Sequence, residues 1–242
     1  FGIIGLGQIS KTHARALLNQ DDCYLVGGFH RNPEKADAWA AEQSCRAFYS
    51  LEDLLSDPEI DAVSITTPSG YHLDPALAAI RAGKHVLIEK PMEITEDRIE
   101  QLISEAKEHQ VLLCGIFQSR FQDAPRLIKK AIEENRLGTI TLADAQFKWF
   151  RTQEYYDSGA WRGTWAVDGG GVLMNQGIHA IDLLLYFMGD PVEVSGFTAT
   201  LAHERIEVED VAAAALRFPN GALGMIEGTT GAYPGSLKRI EI

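Results

Sequence analysis

The first 115 residues alternate short apolar runs with helical patterns, and this alternation constrains the fold more than any other feature of the chain. The apolar runs lie at residues 1–5, 24–29, 62–65, 85–88 and 111–114. Strands separated by helices are typical of βαβ units, in which successive strands pair in parallel. Asn32-Pro33 marks the start of one helix and Gly83 the end of another. The sequence therefore predicts a doubly wound parallel sheet, a Rossmann domain, over residues 1–118.

A glycine-rich loop, residues 5–10, follows the first predicted strand and opens a helix; it reads Gly-Leu-Gly-Gln-Ile-Ser. In dinucleotide-binding folds such glycines allow a tight turn and let the backbone approach a pyrophosphate at the helix N-terminus. A plain strand-to-helix turn is the alternative. We predict an NAD or NADP site that includes Gly5, Gly7, Gln8 and Ile9.

The end of the second predicted strand bears on the choice between the two cofactors. Sites that prefer NAD usually carry Asp or Glu there, whereas this chain reads Phe29-His30-Arg31. Because no carboxylate repels a 2′-phosphate and Arg31 can hold one, the pattern favours NADP over NAD, with His30 and Arg31 in the site. Alternatively, Arg31 stacks on the adenine or is solvated.

The predicted strand 85–88 ends in Glu89-Lys90-Pro91. Side chains at the carboxyl ends of parallel strands point into the ligand crevice of such folds, so Lys90 is expected near the nicotinamide. Pro91 restricts the backbone beside it. A surface lysine paired with Glu89 is the alternative.

The pattern changes after Gln118. A helix at residues 125–135 precedes β-like runs at 139–150, 193–201, 211–218 and 222–230. Asn220-Gly221 predicts a tight hairpin, so the sequence predicts a second domain over residues 119–242 with an open, mostly antiparallel sheet. The run at 211–216 is apolar on both faces, which predicts a homo-oligomer, a dimer or tetramer, formed through this sheet.

A second helix is predicted at residues 172–188, after three consecutive glycines. At 100° per residue it places Asn175, His179, Asp182 and Tyr186 in one stripe. The stripe contains no Lys or Glu, and the glycines allow close approach to the backbone. We interpret it as a ligand-facing stripe, with an ordinary solvated face as the alternative.

Composition limits the classes of partner. Acidic residues outnumber basic residues 34 to 22, and the net charge of −12 disfavours nucleic acid. No apolar run reaches the ~18 residues of a membrane span. The three cysteines have neither disulfide-framework nor metal-site spacing, so no metal is expected and the reducing cytoplasm is the predicted location. Because both ends fall inside strand patterns, we expect residues to be missing there, leaving the second domain truncated.

Several of these motifs together resemble the glucose-fructose oxidoreductase, inositol dehydrogenase and rhizopine catabolism family, Gfo/Idh/MocA. The similarity covers most of the chain. The motifs are the glycine loop, Thr67-Pro68 with His72, Gly83-Lys84-His85-Val86 leading into Glu89-Lys90-Pro91, Trp161-Arg162, and the glycine-rich approach to Gly177-Ile178-His179-Ala180-Ile181-Asp182.

The resemblance implies an NAD(P)-dependent oxidoreductase that acts on a secondary hydroxyl or carbonyl of a sugar, cyclitol or sugar nucleotide. It implies Lys90 and His179 as catalytic residues, with substrate contacts from Asn175, Asp182, Trp161 and Arg162. It extends the cofactor site to Thr67, Pro68, His72, Glu89 and Lys90.

The family often has Asp where this chain has Asn175, which leaves a catalytic carboxylate there in question. The Asn-Gln-Gly-Ile-His version resembles members that act on N-acetylated sugar nucleotides. A non-catalytic dinucleotide sensor or regulatory subunit is the alternative function, and a purely structural role in assembly is a second one. Retention of both Lys90 and His179 argues against the sensor.

Overall fold

The computed structural model describes residues 1–242, and the chain divides into two compact units, Phe1–Ile116 and Phe117–Ile242. The first unit holds a six-stranded sheet in the order β3-β2-β1-β4-β5-β6, and every pair in it is parallel. Its strands are β1 Gly2–Ile4, β2 Gly27–Phe29, β3 Arg46–Phe48, β4 Ala62–Ile65, β5 His85–Ile88 and β6 Leu113–Gly115. Its helices are α1 Gln8–Leu18, α2 Pro33–Gln43, α3 Leu51–Ser56, α4 Leu73–Arg81 and α5 Glu96–Glu108.

This strand order confirms the predicted doubly wound fold. The order reverses at β1, which pairs with β2 on one side and β4 on the other, and ligands of such sheets bind at the carboxyl ends of the strands beside this point. The predicted helix start is also confirmed, because the Asn32 side chain accepts a hydrogen bond from Lys35 N at 3.0 Å. Strand β3 was not predicted. It has three residues, of which Phe48 alone is buried, too few for a periodic signal.

The second unit contains a mixed, mostly antiparallel sheet in the order β11-β7-β10-β9-β8. The β7–β10 pair is parallel and the others are antiparallel. Its strands are β7 Leu142–Lys148, β8 Glu193–Ala199, β9 Val211–Arg217, β10 Leu223–Thr229 and β11 Arg239–Glu241. Its helices are α6 Asp123–Glu133, α7 Gln153–Asp157 and α8 Ile178–Met188.

The predicted hairpin joins β9 to β10. Gly221 N donates to Phe218 O, and Phe218 N donates to Ala222 O, each at 2.9 Å. The loop has three residues, with Gly221 at a φ of +86°, rather than the two residues that an Asn-Gly turn predicts.

One face of this sheet packs against α8 and the other is exposed. Ala145 and Phe147 of β7 form the core with Leu184 of α8. On the opposite face Leu223 and Met225 of β10 are about half exposed. The alternation follows from the two-residue period of a strand, which sends neighbouring side chains to opposite faces.

The predicted continuous helix over residues 172–188 is wrong. A π-helical turn, Val172–Gln176, comes first, and α8 begins after Gly177. Gly177 N donates to Val172 O at 2.7 Å, the wider spacing of a π-turn. A Cβ at Gly177 would lie 2.3 Å from the Phe147 ring, so the chain passes the core there only with glycine. A constant 100° per residue therefore does not relate Asn175 to His179.

Candidate active site

The glycine loop runs from β1 into α1 with its backbone open to a ligand. Gly5 has a φ of +95°, and a Cβ there would lie 2.7 Å from Cγ2 of Thr67. At Gly7, which caps α1, no atom lies within 4 Å of the position that a Cβ would take. Gln8 and Ile9 are exposed on the first turn. This arrangement fits a pyrophosphate at the helix N-terminus, because the first N–H groups of a helix lack internal partners.

Ser10 is the last residue of the glycine loop, and its buried side chain bonds back to that loop. Its Oγ donates to Gly7 O at 2.5 Å and accepts from Trp39 Nε1 at 2.9 Å, and the side chain is fully buried. The hydroxyl therefore stabilises the loop where dinucleotide-binding sequences often place a third glycine or alanine.

The segment after β4 lies against this loop. Thr66 Oγ1 donates to Gly5 O at 2.5 Å, and Thr67 Oγ1 donates to Tyr71 O at 3.0 Å. The Pro68 ring is exposed. Thr67 and Pro68 thus border the glycine loop, and the Thr67 hydroxyl is held by its own turn.

His72 connects the loops that follow β4 and β5. Its Nε2 lies 2.8 Å from Thr67 O, and its Nδ1 lies 3.0 Å from Pro91 O. The side chain is 1% exposed. The ring therefore holds the backbone on both sides of the predicted cofactor site, while its direct contact with a cofactor stays a prediction.

Glu89 lies between His13 and Lys90. Its Oε1 is 2.9 Å from His13 Nε2, and its Oε2 accepts from Lys90 N at 2.9 Å. Burial raises the pKa of Glu89, but the hydrogen bonds from His13 and Lys90 and their charges outweigh it, and the net pKa lies below its ordinary value. His13 Nδ1 continues the chain to Ser64 Oγ at 2.6 Å. Glu89 is therefore held as a carboxylate beside half-buried Lys90.

The end of β2 has the composition expected from the sequence. His30 Nδ1 accepts from Asn32 N at 2.9 Å, so its ring stabilises the turn into α2. Arg31 is exposed. Neither residue is acidic, and the preference for NADP over NAD stays a prediction.

Asn175 lies on the π-helical turn and contacts a buried carboxylate. Its Nδ2 donates to Asp168 Oδ1 at 2.7 Å, and Asp168 Oδ2 accepts from Gly163 N at 2.9 Å. Asp168 is 3% exposed. Asp168 was not identified from the sequence, although it directly precedes the glycine triplet. Residue 175 is therefore not acidic, but the carboxylate of Asp168 contacts it.

A second carboxylate holds the glycine triplet and the π-turn. Glu209 accepts from Gly171 N and from Leu173 N, each at 3.0 Å, and its backbone oxygen accepts from Val172 N at 2.9 Å. Glu209 is 9% exposed. The turn that carries Asn175 is therefore fixed at both its side chain and its backbone.

His179 and Asp182 lie on the first turns of α8 in different environments. His179 is half-buried, with its ring edge-on to Phe117 at 6.2 Å between centroids. Asp182 is buried and accepts from Arg120 Nε at 2.9 and 3.0 Å and from Arg120 Nη2 at 2.5 Å. These bonds raise the pKa of Arg120. Asp182 of the predicted stripe is thus paired with Arg120, which lies outside the stripe. Arg120 was not identified from the sequence.

Trp161 and Arg162 lie on the loop that Asp168 ties to Asn175. The Arg162 guanidinium lies over the rings of Trp161 and Tyr155, at 4.5 and 4.4 Å from their centroids. Its Nη1 donates to Tyr155 OH at 2.8 Å. The structure thus brings Trp161, Arg162 and Asn175 into one connected part of the second unit.

Comparison with known proteins places these motifs in a family. Residues 1–116 match the oxidoreductase family with an NAD-binding Rossmann fold, and residues 126–242 match the Gfo/Idh/MocA C-terminal domain. The chain belongs to the Gfo/Idh/MocA family. It is an NAD(P)-dependent oxidoreductase, as the sequence predicts, and the names of its relatives do not favour the non-catalytic alternatives.

The relatives within the Gfo/Idh/MocA family include enzymes of cyclitols and of sugar nucleotides. Myo-inositol 2-dehydrogenase of Thermotoga maritima is 30% identical over 100% of this chain and 71% of its own length. UDP-N-acetylglucosamine 3-dehydrogenase of Acidithiobacillus ferrooxidans is 32% identical over 92% of this chain and 64% of its own length.

A solved structure of this family gives a closer match. The WlbA dehydrogenase from Bordetella pertussis, in complex with NADH and UDP-GlcNAcA, is 41% identical with a TM-score of 0.93, over 99% of this chain and 75% of that one. Within the present chain, no helix is long and apolar enough to cross a membrane.

Proposed function

We propose that this enzyme transfers hydride between a nicotinamide cofactor and a secondary alcohol or ketone of a sugar nucleotide that carries an N-acetylated sugar. The observation that carries the proposal is Asn175 in its Asn-Gln-Gly-Ile-His segment, bonded to Asp168 one turn before His179. The 41% identity to a protein that holds UDP-GlcNAcA supports the same substrate class. Neutral sugars and cyclitols form the second candidate class, because the Thermotoga relative is an inositol dehydrogenase.

The proposed chemistry divides between two side chains. During oxidation, the hydroxyl proton passes to His179 while the hydrogen on the same carbon leaves as hydride. Loss of the proton and the hydride converts the alcohol into a carbonyl group. Lys90 holds the substrate oxygen and stabilises the negative charge that develops on it. Histidine suits the proton transfer because its ordinary pKa is nearest neutrality, although the two roles are interchangeable in principle. The nicotinamide, when bound, accepts or supplies the hydride.

The remaining predicted substrate residues take supporting roles in this proposal. Asn175 orients the substrate through its amide and cannot accept a proton in the reaction. Trp161 and Arg162 contact the substrate from the same segment. Because Asp182 is bound by Arg120, we assign it a positioning role for the α8 turn that carries His179.

The cofactor is proposed to bind along the first unit. The backbone N–H groups of Gln8 and Ile9, which follow Gly7, would hold the pyrophosphate, and Thr67 and Pro68 would border it. Arg31 holds the 2′-phosphate of NADP, while Glu89 and His72 keep the Lys90 loop in place.

We also propose that the enzyme works in the cytoplasm as a homo-oligomer, with residues 119–242 as its substrate-binding and oligomerisation domain. Leu223 and Met225 on the exposed sheet face support an interface, because exposed apolar patches of this kind usually contact another chain. The three free cysteines fit a reducing compartment. Light scattering that finds only monomer at micromolar concentration would contradict the oligomer.

A hydride-transfer assay tests the central proposal. The protein is mixed with NAD or NADP and, in parallel, with UDP-GlcNAc, UDP-GlcNAcA, myo-inositol and glucose, and the absorbance of reduced nicotinamide is followed. We expect the largest kcat/KM with a UDP-linked sugar. Turnover of myo-inositol or glucose, without turnover of either UDP-sugar, would instead support neutral sugars and cyclitols as the substrate class. No turnover of any of these compounds would refute the proposed function.

A further inference from the structure

The segment between β7 and the π-helical turn contains two arginines without a carboxylate partner. Arg151 and Arg162 are both half-buried, and neither has an acidic oxygen within ion-pair distance. Arg205, packed against the same segment, shows the contrast, because it pairs with Asp157 at 2.7 Å. In a chain with a net charge of −12, two partly desolvated cations without counter-charges are energetically unfavourable unless an anion joins them.

Aromatic rings hold both guanidinium groups. Tyr155 lies between them in the contact network, with its ring centroid 5.1 Å from Arg151 Cζ and 4.4 Å from Arg162 Cζ. Arg151 also lies over Trp149, and Arg162 over Trp161. Stacking uses the faces of a guanidinium and leaves its N–H edges available, and those edges match the oxygens of a phosphate or carboxylate.

The hydrogen bonds of the two arginines satisfy only part of their donors. Arg151 Nη1 donates to Phe150 O at 3.1 Å, whereas its buried Nε makes no hydrogen bond. Arg162 Nη1 donates to Tyr155 OH at 2.8 Å. Both acceptors are neutral, so the charge of each guanidinium is not compensated by the group that it contacts.

The backbone beneath the pair is fixed before any ligand binds. Arg151 N donates to Thr230 O at 2.8 Å, and Arg151 O lies 3.0 Å from Nε2 of buried His203. Gly163, which follows Arg162, donates to Asp168, and Asp168 is bonded to Asn175. Arg162 is therefore connected by two hydrogen bonds to a proposed substrate residue.

We propose that Arg151 and Arg162 form a binding site for an acidic group of the substrate. This inference rests on the proposed function and adds to it which two side chains bind the negative charge of the substrate. Two groups have the required chemistry, the diphosphate of a nucleotide sugar and the carboxylate of a uronic sugar. Tyr155 holds the two cations in the orientation that binds either of them.

The test is a calorimetric titration of the NADH-loaded protein with UDP-GlcNAc and, separately, with UDP-GlcNAcA. The variants are Arg151→Gln and Arg162→Gln, and Arg205→Gln is the matched control because it removes an arginine that is already paired. Loss of one charge-assisted hydrogen-bonding group predicts a rise in Kd of about 10- to 100-fold. The control is expected to stay within about 3-fold of wild type.

The two ligands separate the two sources of negative charge. If both ligands lose affinity equally, the arginines bind the diphosphate. If only UDP-GlcNAcA loses affinity, they bind the sugar carboxylate. Unchanged affinities in both variants would overturn the inference, and so would an equal loss of NADH affinity. Arg162→Lys, which keeps the charge but lacks the planar fork, serves if a Gln variant does not fold, and it should weaken binding by a smaller factor than Gln.

The outcome is separable from that of the hydride-transfer assay, because the titration needs no turnover. An enzyme that oxidises myo-inositol but binds neither UDP-sugar would refute the anion site and keep the dehydrogenase activity. Binding of UDP-GlcNAcA that depends on Arg151, without any turnover, would keep the anion site and refute the proposed reaction.

Discussion

The loops that carry Lys90 and Asn175 are held in place by different chemistry. Lys90 follows β5 at the carboxyl edge of a parallel sheet, and its loop is also tied through the Pro91 carbonyl, which faces His72, and the Glu89 carboxylate, which faces His13. Asn175 lies on a π-helical turn whose loops are tied by the buried carboxylates of Asp168 and Glu209. The strand that precedes Lys90 fixes its position, whereas no strand precedes the π-helical turn, which depends on individual acidic side chains.

This difference determines what a single substitution does. At Lys90 or Arg31 in the first unit, a substitution removes a reacting or binding group and leaves the scaffold intact, because the preceding strand fixes the backbone there. In the second unit a change of one buried carboxylate leaves several N–H donors without acceptors, and each buried unsatisfied donor costs about 1–3 kcal/mol. Substitution of Lys90 should therefore cause a loss of chemistry, and substitution of a buried carboxylate in the second unit a loss of structure.

The largest expected effect is that of Lys90→Met, which should reduce turnover to near background. Methionine is also unbranched and only one atom shorter than lysine, and it removes the charge that stabilises the substrate oxygen. Cofactor affinity should stay within a few-fold of wild type, because the glycine loop holds the pyrophosphate. Steady-state kinetics and NADH titration measure the two quantities, and a parallel collapse of NADH affinity would show that the lysine serves the cofactor instead.

His179→Ala should lower kcat by about 10²- to 10⁴-fold, the usual range for a positioned proton-transfer group. The pH dependence of kcat that belongs to the histidine should disappear with it. Glu89→Gln is a useful comparison, since it alters the carboxylate beside Lys90 and leaves α8 untouched. A rate and pH profile equal to those of wild type would exclude His179 as the acid or base.

Asn175→Asp should lower kcat/KM by about 10- to 100-fold, more strongly as pH rises. The substitution places a second carboxyl group 2.7 Å from Asp168, where Asn175 Nδ2 now donates. Two carboxylates at that distance cannot both ionise, so the pKa of one is raised. Below the raised pKa the two carboxyl groups share a proton, and above it both are charged and repel each other. Activity should therefore fall as pH rises through the raised pKa.

An exchange of the two side chains provides the control. The double variant Asp168→Asn with Asn175→Asp restores one acid and one amide in the pair, and it should recover activity to within a few-fold of wild type. Failure of the double variant to exceed either single variant would contradict the importance of this hydrogen bond.

The acid stability of the second unit should depend on Asp210. Its carboxylate accepts from the backbone of Leu201, Ala202 and His203 and from the His203 ring. Burial raises the pKa of Asp210, but these bonds outweigh burial and hold it below its ordinary value. A lowered folded-state pKa stabilises the protein above the unfolded-state pKa of about 4, and the contribution is lost as pH falls through the folded-state pKa.

Asp210→Asn should therefore lower the free energy of unfolding at neutral pH by about 2 kcal/mol. It should also flatten the decline of stability below about pH 4. Urea unfolding at several pH values measures both effects. Glu241→Gln, at an exposed ion pair with Arg239, is the matched control and should leave the curve unchanged.

The same contrast explains how much could be predicted from the sequence. The strands β4 and β5 were predicted to the residue, and the Gly5–Ser10 loop and Lys90 followed from their positions at strand ends. Strand periodicity and turn residues carry that information locally. The π-helical turn was not predictable, because it depends on the Phe147 ring packing at Gly177, 30 residues along the chain.

The hydrogen-bond partners of the site residues could not be predicted from the sequence either. Arg120 meets Asp182 across 62 positions, and Glu209 meets Gly171 across 38. No local pattern reports such pairs, since they arise only when the sheet forms. Asp168 had a usable signal, as an acid that directly precedes the glycine triplet in a chain without an acid at position 175.

The smallest expected effect concerns Arg31 and the first unit. Arg31 is exposed beyond β2, so its contact with a 2′-phosphate would be screened by solvent and salt, and Arg31→Ala should weaken NADP binding by about 10-fold. NAD lacks that phosphate, so its affinity should stay within about 2-fold of wild type. Titration of both cofactors into both proteins at low and high salt gives the comparison, and the difference for NADP should shrink at high salt. Equal losses for NAD and NADP would indicate that Arg31 stacks on the adenine, while no loss for either would leave it a solvated side chain. Because the sheet fixes the backbone at Phe29 whatever follows it, this substitution should change cofactor choice without changing the stability of the unit, as expected for a site built on strand ends.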